Sequence, residues 1–158
     1  MEPNVESELR WVVTDDEEIL LSTESIADVG ALLHELRSNP HGQLTLWERK
    51  GEVANLWSWR NLLSRLTGPA QTHIMHFDLS WITDVAAIIF YDVRGREYRV
   101  IADSAIQPSI EIRRHLSFGE VSPLGLEYCL PKERAFDLAQ LYTRDTQIPT
   151  EARYNFVR

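Results

Sequence analysis

Two histidines in the stretch His73-Ile74-Met75-His76 are the side chains whose type and spacing most invite chemistry. On a helix, positions three apart share one face, as a metal site needs; on a strand they point to opposite faces. The surrounding residues read as a strand, and no neighbouring Cys or His completes a ligand set, although Asp78 falls on the same strand phase as His76. Protein zinc sites take three or four ligands, so no metal is expected here. The single thiol, Cys129, is a second candidate, with His115 or another histidine as its base. A nucleophilic cysteine needs an electropositive, reachable setting. The pattern Leu126-Glu127-Tyr128-Cys129-Leu130 instead predicts a small buried residue beside an acid. The seven glycines occur singly, so there is neither a phosphate-binding loop nor a dinucleotide fingerprint, and no Gly-x-Ser-x-Gly elbow marks a serine nucleophile. Nothing in the spacing of the carboxylates selects a pair for acid–base work. No catalytic residue and no cofactor is therefore expected.

What remains is charge and aromatic surface. Residues 1–25 hold eight acids against one base, Arg10, while the other 133 residues are nearly neutral. The density peaks at Asp15-Asp16-Glu17-Glu18. Such a run reads either as a solubilising loop or as an electrostatic lure for a basic partner, which would speed encounter in a salt-sensitive way. Trp57-Ser58-Trp59, flanked by Arg60, places two indoles on one strand face, and Trp and Arg are the residues most enriched at interface hot spots. The candidate partner-binding set is thus Asp15, Asp16, Glu17, Glu18, Trp57, Trp59 and Arg60.

The elements that must position these groups follow from periodicity. Leu9 to Thr14 and Glu18 to Ser22 read as short strands. A helix from about residue 24 to 37 carries Ile26, Val29, Leu32, Leu33 and Leu36 on one face, with Ser25 and Asp28 as a loose capping box, and Ser38-Asn39-Pro40-His41-Gly42 stops it. Leu44 to Trp47 suggests a strand turning at Lys50-Gly51 into a partner over Glu52 to about Trp59, which gives way to a short helix ending at Thr67-Gly68-Pro69. Thr72 to Leu79, Val85 to Asp92 and Arg96 to Ala102 are firmer strands, and the unbroken apolar run of the second predicts a place near the sheet centre. Ser104 to Leu124 is weakly patterned around the segment Ile110 to Leu116. A strand over Gly125 to Cys129 is expected before a last helix, 131–144, with Pro131 at its first position, and Arg153 to Val157 closes as a strand. Strands, helix, a run of strands and a helix predict an α+β fold: one domain over residues 1–158, a largely antiparallel sheet carrying the two helices, and an acidic segment at 1–18.

Composition bounds the rest. A chain of 158 residues with 44% hydrophobic and 25% charged side chains is of ordinary globular make-up. A pI near 5.1 argues against nucleic acid or an anionic membrane as main partner. No apolar stretch is long enough to span a bilayer, and the start Met-Glu-Pro-Asn, without a basic or apolar run, leads to the expectation of no secretion signal. One cysteine suits a reducing cytoplasm, the expected location.

The most specific stretch is C-terminal. Leu130-Pro131-Lys132-Glu133-Arg134-Ala135 opens the last helix, which runs out through Ala139-Gln140-Leu141-Tyr142-Thr143-Arg144-Asp145 into Thr146-Gln147-Ile148-Pro149. This resembles the first family of immunity proteins from bacterial polymorphic toxin systems, with an aliphatic-Pro pair, an acid and an Ala at the helix start, an aromatic near its end, then a polar turn and Pro. Phe156 stands where the family closes on Trp. The likeness extends loosely over residues 19–158. It implies a small cytoplasmic protein that binds and neutralises a cognate toxin, commonly a nuclease or nucleic-acid deaminase, by blocking its active site. The competing readings are a small adaptor or structural interaction protein, and an enzyme built on a pocket where His73, His76, Asp78 and Cys129 converge.

Overall fold

The computed structural model describes residues 10–16, 18–50, 72–104 and 106–157. Among them, eight strands form a single antiparallel sheet. They are β1 (Trp11–Thr14), β2 (Ile19–Thr23), β3 (His41–Lys50), β4 (Thr72–Ile82), β5 (Val85–Tyr91), β6 (Glu97–Ile101), β7 (Leu130–Pro131) and β8 (Arg153–Val157). The spatial order is β2-β1-β3-β4-β5-β6-β8, with the short β7 paired to β5. Three α-helices complete this part of the chain: α1 (Ile26–Leu36), α2 (Ile110–His115) and α3 (Lys132–Asp145). The α+β architecture read from the sequence is the one observed, with α1 and α3 on one face of the sheet.

Alternation sorts the strands into two faces. Leu44 and Leu46 of β3, Phe77, Leu79 and Trp81 of β4, and Ile88 and Phe90 of β5 point towards the helices. There they meet Val29 and Leu33 of α1 and Ala135, Phe136, Leu138, Ala139 and Tyr142 of α3. A smaller cluster on the opposite face joins Val85 and Ala87 to Leu116, Leu124 and Cys129, beneath the segment that carries α2. β5 therefore has apolar cover on both faces, which accounts for its unbroken apolar run. The helices lean on each other through Gln140 Nε2, which donates to the Gly30 carbonyl at 2.9 Å, and through Arg37, which pairs with Asp137 at 2.9 Å and with Glu133.

Gly42 lies inside β3 rather than in the helix-stopping loop, for a steric reason. A Cβ there would sit 2.3 Å from Cζ2 of Trp81, whose ring lies across the glycine backbone.

Several expectations are corrected. Gly125 to Cys129 is not a strand: Leu126–Tyr128 is a single 3-10 turn, and only Leu130–Pro131 pairs with the sheet. Tyr128 N donates to Gly125 O at 3.0 Å, so a local turn takes the hydrogen bond a ladder would have used. Pro131 is the N-cap of α3 rather than its first helical residue. The Ser25–Asp28 box does not form, since Ser25 makes no side-chain cap. Thr23 Oγ1 instead donates to Asp28 and accepts from Ser25 N at 3.1 Å, binding the end of β2 to the first turn of α1. The weak segment at 110–116 contains a true helix, α2, capped by the Ser109 hydroxyl. The expected strand and helix between Glu52 and Gly68 lie outside the described residues.

Candidate functional site

Among the described residues the sheet ends on β2, and the site is built at that rim. β1 and β2 pair antiparallel from Trp11↔Thr23 to Val13↔Leu21; the register then slips, leaving Leu20 as an extra residue before Thr14↔Ile19. The turn between them is tied locally: Asp15 N donates to Glu18 O at 3.0 Å, and the Asp15 carboxylate accepts from Glu18 N at 3.2 Å. The aspartate thus caps its own turn, a common use of Asx side chains. Asp16 and Glu18 are exposed and Asp15 is half-buried. Beside them Ile19 is 62% exposed and Leu20 39%, an apolar pair in continuity with the acids. From Thr14 to Asp28 the chain carries six acids and no base. Of the other residues read as partner-binding, Glu17, Trp57, Trp59 and Arg60 lie outside the described residues.

The groups expected to define an enzyme do not converge. His73 lies exposed on the outer face, edge-on to Trp47 at 6.5 Å between ring centroids. His76 lies on the helix face, so the two imidazoles do point to opposite sides. Asp78, however, does not share the His76 face. β4 carries a bulge opposite Leu46–Trp47, where the register steps from Phe77 to Met75. The extra residue is His76, which therefore points inward together with Phe77, and Asp78 is sent outward. Cys129 is fully buried in the second cluster, donating to Gly125 O at 3.6 Å, and burial pushes its thiol pKa up. His115 is exposed and stands edge-on to His41 instead. Among the described residues no three His, Cys, Asp or Glu side chains are placed to hold a metal ion.

The bulge creates a buried polar chain that sequence reading missed. Tyr142 of α3 hydrogen-bonds His76 Nδ1; His76 Nε2 bonds Glu48 Oε2 at 2.8 Å; Glu48 Oε1 accepts from Arg10 Nε at 3.0 Å and Nη2 at 2.8 Å. Trp11 packs 5.1 Å from the imidazole. Burial alone would raise the Glu48 carboxyl pKa, but hydrogen bonds from Arg10 and His76 outweigh it and hold the group below its ordinary value. Burial, with the Glu48 charge behind it, pushes the Tyr142 phenol far up. Tyrosine, histidine and carboxylate in series have the connectivity of a proton relay, yet Tyr142 is only 3% exposed and both ring nitrogens of His76 are engaged. The chain joins the residue that precedes β1 to β3, β4 and α3. The signal for it was present in β3: Glu48 occupies the apolar phase set by Leu44 and Leu46, and a charge on that phase calls for a buried partner.

On the outer face Asp78 accepts from Thr45 Oγ1 at 2.5 Å and from Tyr91 Oη at 2.8 Å. Burial raises its pKa; the two hydrogen bonds oppose this, and the Glu97 charge adds to it. Glu48 and Asp78 therefore act oppositely on stability. Glu48, held low, contributes stability that is present above its ordinary 4.5 and is lost as the pH falls through the lowered value. Asp78, held high, contributes stability that is present below its ordinary 3.8 and is lost as the pH rises through the raised value. In urea titrations across pH, Glu48→Gln is expected to lose stability at neutral pH, with the deficit shrinking in acid. Asp78→Asn is expected to hold or gain stability at neutral pH, with that difference vanishing in acid.

No helix among the described residues is long and apolar enough to cross a membrane. No family model matches the chain, and no curated protein matches it significantly.

Proposed function

We propose that this chain is an immunity protein: a binding protein that neutralises a toxin of its own cell by occupying the toxin's active-site cleft. The observation that carries the reading is the base-free acidic stretch from Thr14 to Asp28, whose Asp16, Glu18, Glu24 and Asp28 are exposed at one rim of the sheet near Ile19 and Leu20. Enzymes that cut or edit nucleic acid present basic clefts, and an acidic rim competes for such a cleft with the substrate's phosphates. The likeness of residues 130–149 to the first family of immunity proteins supports the same reading. That stretch forms α3 and its exit turn, where Thr146 takes the left-handed conformation (φ 52°) that closes the helix. The polar chain through Glu48, His76 and Tyr142 fits a structural duty, because its members bond to one another inside the core. The protein itself catalyses nothing and works in the cytoplasm, before the toxin is exported.

The test is co-expression with the product of the adjacent gene. The neighbouring gene is expected to encode a toxin domain that stops growth alone, spares the cell when this chain is present, and co-purifies with it. A neighbour without a toxin domain, or a toxin that ignores the protein, overturns the reading.

A further inference from the structure

The two rims of the sheet are finished differently. β8 is guarded: Arg153 stands on it, the Arg96 guanidinium lies 5.4 Å from the ring of Phe156, and Asn155 bonds the Tyr128 hydroxyl. Charged and bulky polar side chains of this kind are how natural sheets blunt a free edge. β2, Ile19-Leu20-Leu21-Ser22-Thr23, has no charged residue and no proline, and no strand among the described residues pairs with its outer side. The bulge at Leu20 limits the regular part of this edge to Leu21–Thr23, but β2 lacks the charged guard seen at β8. An edge without one displays backbone donors and acceptors with alternate side chains beside them, the template used when a peptide adds a strand to a sheet. The charges that flank this strand along the chain are all of one sign: Asp15, Asp16, Glu17 and Glu18 precede it, and Glu24 and Asp28 follow it, while Arg10, just before the paired strand β1, is engaged by Glu48.

We infer that the partner docks by strand addition on β2, supplying an extended segment whose apolar residues cover Ile19 and Leu20 while its lysines or arginines reach the acids at both ends of the strand. This rests on the proposed function for the identity of the partner, and specifies how that partner is held. The backbone of Leu21 to Thr23, beyond the bulge at Leu20, offers the regular stretch of edge. The acids then do two things: they draw the basic segment in, and they fix its position along a strand too short to set register by itself.

The probe is an acetylated, amidated peptide alternating lysine with valine and threonine, compared with the same peptide carrying glutamate for lysine. Backbone amide NMR of the full chain is expected to show shifts confined to residues 15–24 with the lysine peptide, weakening as salt rises, and none with the glutamate peptide. Ile19→Lys places on the edge the guard it lacks, and is expected to weaken peptide binding about tenfold or more. Val93→Lys adds the same charge at an 80% exposed position in the β5–β6 turn and is expected to change nothing. Absence of shifts at millimolar peptide, shifts centred elsewhere, or equal binding of the glutamate peptide overturns the inference. The toxin separates the two claims. If it binds wild type and Ile19→Lys equally, strand addition fails and the immunity reading stands; if the peptide binds β2 and the toxin does not bind, the reverse holds.

Discussion

Trp81→Ala is expected to cost about 3–5 kcal/mol of folding stability, the range for emptying a large aromatic site in a packed core. Trp81 is 1% exposed on the helix face of β4, with its ring edge-on to Phe136 of α3 at 5.0 Å. Its Nε1 donates to the Asn39 carbonyl at 3.0 Å, and Lys132 Nζ reaches the same oxygen at 2.7 Å. One side chain thus joins the end of α1, the start of β3, the middle of the sheet and the start of α3. Its removal leaves a cavity and takes one donor from the Asn39 carbonyl. Gly42→Ala is expected to cost about 1–3 kcal/mol by forcing a methyl against the same ring. Combined with Trp81→Ala, the glycine change is expected to add little, because the obstacle has gone and contacting residues do not add. Denaturant midpoints at unchanged slope read all three. A loss below about 1 kcal/mol for Trp81→Ala would contradict the packing described.

The second large effect is kinetic. Changing Asp15, Asp16, Glu17 and Glu18 to Asn or Gln is expected to slow association with the proposed toxin partner by about ten- to a hundredfold at low salt and to flatten its salt dependence. Stability is expected to stay nearly unchanged. The Asp15 and Glu18 backbone bonds survive the substitution, and Asn can still accept from Glu18 N as Asp15 does. Stopped-flow association across ionic strength separates the steering role from a solubilising one, since an unchanged rate leaves the run as solvated surface.

Much of the fold was legible because the strands obey their period. Leu44, Leu46, Leu79 and Phe90 fall on the buried phase, and β5 is apolar throughout because both its faces are covered. Two of the misreadings come from local hydrogen bonds that the pattern does not show, and a third from a bulge. The apolar pattern of Gly125 to Cys129 reads as a strand until Tyr128 N turns back to Gly125 O. Ser25 and Asp28 have capping-box spacing, but Thr23 takes the aspartate. The bulge at His76 is invisible in the sequence, and one extra residue moved Asp78 to the opposite face. The acidic turn was readable as composition. Its neighbour was not: Ile19 and Leu20 resemble core residues until β2 is placed at the end of the strand order among the described residues.

The most direct test of the central claim is a titration of the toxin proposed to be encoded by the adjacent gene with this purified chain, following the toxin's own catalytic activity. Neutralisation predicts that activity falls to the baseline at stoichiometric protein; docking on β2 predicts in addition that Ile19→Lys shifts the curve to higher concentrations. Full toxin activity in the presence of excess protein would contradict the account.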